Sequence, residues 1–265
     1  MPSQFSANIN LMVGAALKAG RGLIRDFGEV EKLQVSVKGP GDFVSKADIR
    51  AEAILREELR GGRPNYGWCA EESEPEPGKD PTRRWIVDPL DGTTNFLHGL
   101  PVWAISIALE HKGEVVAGVV FVPPTNELFV AEKGGGAWLN DNRIRVSART
   151  RIGSMLFATS LPAADKPGWT SSAASLKRCL PVCAGVRTMG SAALNLASVA
   201  AGRIDGYWET GLNAWDIAAG FLLVREAGGL VSSAEPRGDP LQDGSIIAAS
   251  HSAYERLTSL VRNNH

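Results

Sequence analysis

The sequence predicts a protein of mixed helices and strands whose two halves differ in pattern. Apolar residues between Ile9 and Phe27 recur at steps of three and four residues, as one face of a helix requires. Between Trp103 and Leu139, short strands follow one another through brief turns, a succession typical of an antiparallel meander. The second half alternates helices and strands. We therefore expect an antiparallel sheet in the first half and a more mixed arrangement in the second.

Chain length and charge limit the class of protein. At 265 residues the chain exceeds a typical single domain, but proteins of this kind and length often form one unit with two lobes. We expect lobes of about residues 1–150 and 151–265, with a boundary near Ser147 to Ser154. Lys and Arg number 28 against 29 Asp and Glu, so no global field attracts nucleic acid or anionic lipid. The start lacks a signal-peptide pattern and no apolar stretch is long enough to span a bilayer, so we expect a cytoplasmic protein without a membrane partner.

The first helix is followed by a short extended segment at Val35 to Lys38. Three helix breakers in Lys38 to Asp42 then predict a loop. A second helix begins near Asp48 and ends before Gly61-Gly62. We expect its buried face to carry Ile49, Ala53, Ile54 and Leu59.

The apolar run Trp85-Ile86-Val87 predicts a buried strand that ends at Asp88, because Pro89 cannot donate to a strand ladder. The meander follows it. We expect its strands at Trp103 to Leu109, Glu114 to Val122, Glu127 to Ala131 and Ala137 to Leu139. In the second half we expect helices at Leu194 to Ala201 and Ile217 to Ala227, and strands at Leu230 to Ser232 and Ser245 to Ala249.

The segment from Asp88 to Asn95 places the carboxylates of Asp88 and Asp91 directly after a strand. Carboxylates gathered in a low dielectric repel each other strongly unless a cation compensates, which favours a hard metal such as Mg²⁺. The carbonyl of Leu90 adds a further oxygen. Gly92 permits close backbone approach, and the amides from Thr93 onward can open a helix that attracts phosphate. Taken alone, the composition of the segment favours a surface turn with an Asp cap, and the other motifs of the chain reverse that preference.

Further acids lie elsewhere in the chain. Glu71-Glu72 follow a short strand-like run, and Trp215-Asp216 open a strongly apolar helix. For Asp216 the alternative is a helix cap, and for Glu72 it is a solvated charge. Taken singly, each residue fits either interpretation.

Motifs across nearly the whole chain share one order. They are Gly41 to Asp48, Glu71 to Ser73, Asp88 to Phe96, Gly190 to Ala193, Trp215 to Gly220 and Glu226 to Gly229. In this order they resemble the inositol monophosphatase family. The resemblance implies an α+β first half and an α/β second half, in a layered αβαβα sandwich of the inositol monophosphatase and fructose-1,6-bisphosphatase type. It also implies a Mg²⁺-dependent, lithium-sensitive phosphatase that commonly forms homodimers.

The resemblance implies roles for individual residues. Two or three Mg²⁺ ions would be held by Glu71, Asp88, the Leu90 carbonyl, Asp91 and Asp216. Catalysis would fall to Glu71 and Thr93, which orient or deprotonate a water, together with Asp91. Substrate would be bound by Asp91, Gly92, Thr93, Ala192, Glu209 and Asp216. By its own sequence context Glu209 fits a surface residue equally well, and Lys38 is a weaker candidate for contacting phosphate.

The activity implied is hydrolysis of the phosphate monoester of a small polyol, with inositol 1-phosphate foremost. Histidinol phosphate, fructose 1,6-bisphosphate and adenosine 3′,5′-bisphosphate are alternatives, because the segment Phe157 to Trp169 falls where relatives differ in substrate contacts. Position 70 is Ala where many relatives carry Gly. A role as a regulatory partner of the transcription machinery is the alternative from another class.

Overall fold

The N-terminal part of the chain forms two long helices joined through a strand pair. The computed structural model describes residues 5–29, 35–39, 42–161 and 168–262. Helix α1 (Ala7–Phe27) begins after Ser6, whose hydroxyl accepts the amide of Ile9 at 3.3 Å. Strands β1 (Val35–Gly39) and β2 (Asp42–Ser45) pair antiparallel and lead into helix α2 (Lys46–Gly62). The predicted loop is therefore shorter than expected, because Lys38 belongs to β1 and Asp42 to β2.

The buried face of α2 differs from the predicted one. Leu59 is buried as expected, but Ile49 is 55% exposed and Ala53 is also exposed. The inward face instead carries two acids one turn apart, Asp48 and Glu52, which are 0% and 5% exposed. The prediction is therefore correct for Leu59 and for Ile54, which is partly buried, and wrong for Ile49 and Ala53. The apolar side of α2 lies beside the two acids and carries Ala47, Ala51, Leu55 and Leu59.

The first sheet has seven strands in chain order. Apart from the parallel pair β3 and β4, all neighbours are antiparallel, so the predicted meander is confirmed. The strands are β3 (Gly67–Ala70), β4 (Arg83–Asp91), β5 (Ala104–His111), β6 (Glu114–Val122), β7 (Glu127–Glu132), β8 (Gly136–Leu139) and β9 (Asn142–Ile144).

The predicted end of a strand at Asp88 is wrong, because β4 continues to Asp91. Asp88 lies opposite Ser106 of β5, and Asp91 lies opposite Ala104, so the register shifts between them. Such a bulge absorbs Pro89, which cannot donate to the ladder. The bulge replaces the expected turn and sets both carboxylates at the end of the strand.

The second sheet has five strands, in the order β11, β10, β12, β14 and β13, with both parallel and antiparallel pairs. Its strands are β10 (Leu156–Thr159), β11 (Gly185–Arg187), β12 (Gly206–Thr210), β13 (Leu230–Ser232) and β14 (Ser245–Ala249). The remaining helices are α3 (Thr93–Leu97), α4 (Trp169–Cys179), α5 (Ala192–Ala200), α6 (Ala214–Glu226), α7 (Pro240–Asp243) and α8 (His251–Arg262).

The elements stack in five layers, which confirms the αβαβα sandwich. Helices α1 and α2 cover one face of the first sheet, and α5 and α6 lie between the two sheets. Helices α4 and α8 cover the outer face of the second sheet. The carboxylate of Glu226, at the end of α6, accepts the amides of Gly134 and Gly136 and ties the middle layer to the turn before β8.

The first sheet ends at Ile144 and the second begins at Leu156. We propose that the boundary between lobes lies in this connection, where the sequence places it at Ser147 to Ser154. None of the helices in the described part of the chain combines the length and apolarity needed to cross a bilayer.

Candidate active site

The bulge of β4 holds two of the predicted acids. Asp88 is 1% exposed, and its Oδ1 accepts the amide of Leu90 at 2.9 Å. The Oδ2 atom of Asp91 accepts the hydroxyl of Ser191 and the amide of Ala193, both at 2.6 Å. Because Ser191 caps α5, Asp91 joins the end of β4 to the start of the middle helical layer.

Asp216 approaches the same place from α6. Asn213 caps this helix, and its amide donates to Oδ2 of Asp216 at 2.6 Å, so Asp216 completes the cap from the first turn. The backbone carbonyl of its neighbour Trp215 accepts a hydrogen bond from the hydroxyl of Ser106 at 3.1 Å. Ser106 lies opposite Asp88 in the sheet. Asp216 therefore serves as a cap partner, which confirms the alternative given for it, and it also stands beside Asp88. Its role as a ligand stays a prediction.

The pKa values show how closely the carboxyls approach one another. Burial raises the pKa of Asp88 well above its usual range, and the charges of Glu71, Asp91 and Asp216 raise it further. Burial raises the pKa of Asp91 to about 6, and burial followed by the charge of Asp91 raises that of Asp216 to about 7. A hydrogen bond from the carboxyl of Asp88 lowers the pKa of Asp216. Four acids from three separate parts of the sequence thus share one electrostatic environment.

Glu71 and Glu72 follow β3 at the edge of this group. The amide of Glu72 donates to Oε2 of Glu52 at 2.8 Å, which anchors the backbone beside Glu71 to helix α2. Glu52 is buried in that helix. The contact therefore ties the segment that carries Glu71 to helix α2.

Thr93 faces the bulge from the start of α3. Its Oγ1 lies 3.0 Å from Oδ1 of Asp48 and 3.0 Å from the carbonyl oxygen of Leu90. Gly92 precedes it with φ +99°, and a Cβ at that position would lie 2.9 Å from the carbonyl oxygen of Val102. The turn therefore requires glycine, which keeps the amides at the start of α3 in place.

Asp48 and Glu52 are the site residues that the sequence analysis missed. The sequence predicts Asp48 as the start of a helix and as the last residue of the motif Gly41 to Asp48, without a role in the site, and it predicts nothing for Glu52. The signal that identifies them is two acids four residues apart in a helix, on the face that the first sheet covers. The apolar pattern alone cannot show that face.

Glu209 lies at the end of β12, where Tyr207 donates its hydroxyl proton to Oε2 of Glu209 at 2.5 Å. Burial raises the pKa of Glu209 to about 7, while hydrogen bonds from Tyr207 and Ser160 lower it and the charge of Asp91 raises it. A solvated surface position is thus wrong for Glu209. Ala192 opens α5 beside Asp91 and is 5% exposed.

The donor set matches a hard cation in chemistry. Within the described ranges, no three His, Cys, Asp or Glu side chains are arranged to hold a metal ion. Asp91 is engaged by Ser191 and Ala193, and Asp88 bonds to Asp216. Buried carboxyls with raised pKa values are stabilised by a divalent cation, which replaces their shared proton. In chemistry, these oxygen donors suit Mg²⁺, while their arrangement within the described ranges is not that of a formed metal site. The predicted candidate Lys38 belongs to β1, whose side chains lie outside the described part.

Comparison with known proteins gives consistent results over the full length. The pattern described as the inositol monophosphatase family matches residues 6–265. An inositol-1-monophosphatase of Rhizobium meliloti (strain 1021) is 53% identical over 257 residues, which cover 97% of each chain. The Nus factor SuhB of Vibrio cholerae is 41% identical over 256 residues, 97% of this chain and 96% of that protein. The crystal structure of extragenic suppressor protein suhB from Bartonella henselae matches with a TM-score of 0.95 at 50% identity, covering 98% of this chain and 100% of that one.

Proposed function

The chain belongs to the inositol monophosphatase family, and from this premise we propose that it hydrolyses the phosphate monoester of a small polyol, inositol 1-phosphate foremost. The observation that carries the proposal is the meeting of Glu71, Asp88, Asp91 and Asp216 at the bulge of β4, next to the start of α3. No covalent intermediate is needed, because a water can attack the phosphorus directly.

Two or three Mg²⁺ ions would be held by oxygens of the bulge and its neighbours. The proposed ligands are Glu71, Asp88, the Leu90 carbonyl, Asp91 and Asp216. Bound Mg²⁺ would supply Lewis-acid stabilisation of negative charge and favour ionisation of a water. Carboxylate and carbonyl oxygens are the ligands this ion prefers.

The side chains around Thr93 would handle the proton of the attacking water. The Thr93 hydroxyl can accept a hydrogen bond from that water while it donates to the buried carboxylate of Asp48. Glu71 would orient the water from the opposite side. Asp48 and Glu71 are thus the two carboxylates available as proton acceptors.

Phosphate and polyol would bind on either side of Asp91. The amides of Gly92 and Thr93 at the start of α3 would donate to phosphate oxygens. Carboxylates accept hydroxyl protons, so Asp91, Glu209 and Asp216 suit the hydroxyls of a polyol, with the backbone of Ala192 beside them.

A phosphate-release assay with Mg²⁺ tests this function. The substrates are inositol 1-phosphate, histidinol phosphate, fructose 1,6-bisphosphate and adenosine 3′,5′-bisphosphate. We expect inositol 1-phosphate to give the highest kcat/KM. A preference for another ester would reassign the substrate, and no phosphate release from any of them would refute the proposal.

A second role is supported by the relative in Vibrio cholerae that is named a Nus factor and matches this chain over nearly its full length. We propose regulatory binding to transcription proteins as the alternative. An Asp88→Asn variant that is folded and inactive separates the roles, because tight co-purification with transcription proteins would then be independent of catalysis.

We also propose that the protein forms a homodimer. Light scattering measures its mass in solution, and the mass of a single chain would refute this proposal.

A further inference from the structure

The side chains of Tyr207 and Glu209 lie on the same face of β12, because side chains alternate along a strand. Tyr207 packs in the core between the sheets, which contains α5 and α6. Trp208 points the other way, into the core beneath α4 and α8, where its indole N–H donates to the hydroxyl of Ser175 at 2.9 Å. The strand therefore holds Tyr207 rigidly on the same face as Glu209.

The Tyr207 hydroxyl has a defined direction. The residue is 0% exposed, and its O–H donates to Oε2 of Glu209 at 2.5 Å. Burial, followed by the charge of Glu209, raises the pKa of Tyr207 well above its usual range, so the phenol keeps its proton and remains a donor. Tyr207 thereby commits Oε2 of Glu209 to the protein, and Ser160 also donates to this carboxylate, so the direction of the carboxylate is set by protein donors.

We infer that Tyr207 is a positioning residue that gives the proposed phosphatase its preference for polyhydroxylated substrates by aiming Glu209 at a substrate hydroxyl. The inference rests on the proposed function, since it assigns Glu209 to the polyol. A carboxylate aimed by a buried donor accepts a hydroxyl proton in one direction, and an analogue without that hydroxyl leaves the carboxylate without its partner.

The position of Tyr207 and Glu209 indicates that losing their hydrogen bond affects binding of the polyol leaving group. The bulge acids and Thr93 belong to the proposed phosphate and metal site at the end of β4, whereas Glu209 lies on β12 in the other sheet. The charge of Asp91 still raises the pKa of Glu209. Loss of the Tyr207 hydroxyl should therefore weaken capture of the polyol more than it slows the bond-breaking step. In kinetic terms, KM should change more than kcat.

The test compares Tyr207→Phe with the unaltered enzyme on inositol 1-phosphate and on p-nitrophenyl phosphate, a monoester whose leaving group has no hydroxyl donor. We expect kcat/KM for inositol 1-phosphate to fall about 10-fold to 100-fold, mostly through KM, and by about 10-fold more than for p-nitrophenyl phosphate. Tyr254→Phe, a partly buried tyrosine on α8, is the matched control and should change neither.

The same comparison in a Glu209→Ala background separates positioning from a general packing effect. If Tyr207 acts through Glu209, Tyr207→Phe adds little to the loss already caused by Glu209→Ala. Equal losses on both substrates, additive losses in the double variant, or no change in the substrate ratio would each overturn the inference. If the unaltered enzyme hydrolyses neither ester, the proposed function fails first and the inference fails with it.

Discussion

The carboxyl of Asp88 occupies a place where it cannot easily hold a negative charge. It is 1% exposed and surrounded by the charges of Glu71, Asp91 and Asp216. A carboxyl in such a place keeps its proton until a cation arrives. In the proposed mechanism, the cost of gathering these acids without a metal would be the source of affinity for Mg²⁺.

Asp88→Asn tests this directly. The amide oxygen of Asn can still accept the Leu90 amide, but the negative ligand is lost. We expect phosphate release to fall by about 100-fold or more, and the Mg²⁺ concentration for half-maximal rate to rise. Thermal unfolding verifies the fold, and without metal the variant should be at least as stable as the unaltered chain. Full activity at limiting Mg²⁺ would contradict the assignment.

The sequence predicted the acids that stand in motifs and that the structure brings near one another, and it gave no role to Glu52, which lies inside a helix. Asp88, Asp91 and Asp216 are conspicuous because they flank strand or helix ends. Asp48 and Glu52 sit inside a helix whose inward side is decided by the sheet beneath it. No local pattern contains that information.

At the scale of elements, helix α2 acts as a common support for two parts of the site. Asp48 bonds to Thr93 of α3, and one turn later Glu52 accepts the amide of Glu72 after β3. Since both bonds start from one helix, α2 braces Thr93 and the segment of Glu71, in addition to the pairing of β3 with β4 that precedes them.

Glu52→Ala should therefore disturb the site without touching a proposed ligand. The Glu72 amide is partly buried, so the loss of its acceptor should lower the free energy of unfolding by about 1 kcal/mol. The Mg²⁺ requirement should rise as the segment carrying Glu71 loosens. Glu52→Gln keeps an acceptor oxygen and should restore most of both quantities, and Glu57→Ala, an exposed position on the same helix, should change neither. Denaturant unfolding and Mg²⁺ titration of the rate measure the two effects. An Ala variant that matches the Glu57 control would refute this role.

The elements themselves were predictable where the signal is local. The strands of the meander match the predicted ranges closely, because alternation and turn residues define them within a few positions. The bulge at Pro89 was not predictable, since it depends on the register of β4 against β5. The order of the second sheet, with β10 between β11 and β12, is likewise decided by packing across the whole chain.

Three of the five layers of the molecule contribute acids to the candidate site. The first sheet provides Asp88 and Asp91, the middle helices provide Asp216, and the second sheet provides Glu209. Repulsion among these acids therefore acts between layers. A cation bound there should hold the layers together, so occupancy of the site and stability of the fold are linked.

This linkage predicts how Mg²⁺ stabilisation depends on pH. The pKa values of Asp91 and Asp216 are raised from 3.8 to about 6 and to about 7. Without metal, the folded chain therefore binds more protons than the unfolded chain at pH values between the unfolded pKa and the folded pKa of each group. The stability they contribute is present below the unfolded pKa and is lost as pH rises through the folded pKa. Mg²⁺ binds the ionised carboxylates and displaces their protons, so at a fixed Mg²⁺ concentration its stabilisation should grow as pH rises from about 6 to about 8. If that concentration is about 100 times the dissociation constant at the higher pH, the stabilisation there should be about 3 kcal/mol. Thermal unfolding in EDTA and in Mg²⁺ at both pH values measures it. Asp216→Asn should lose most of the Mg²⁺ effect, whereas Glu57→Gln should keep it. A Mg²⁺-induced Tm shift that is the same at both pH values would show that these carboxyls do not ionise to bind the ion.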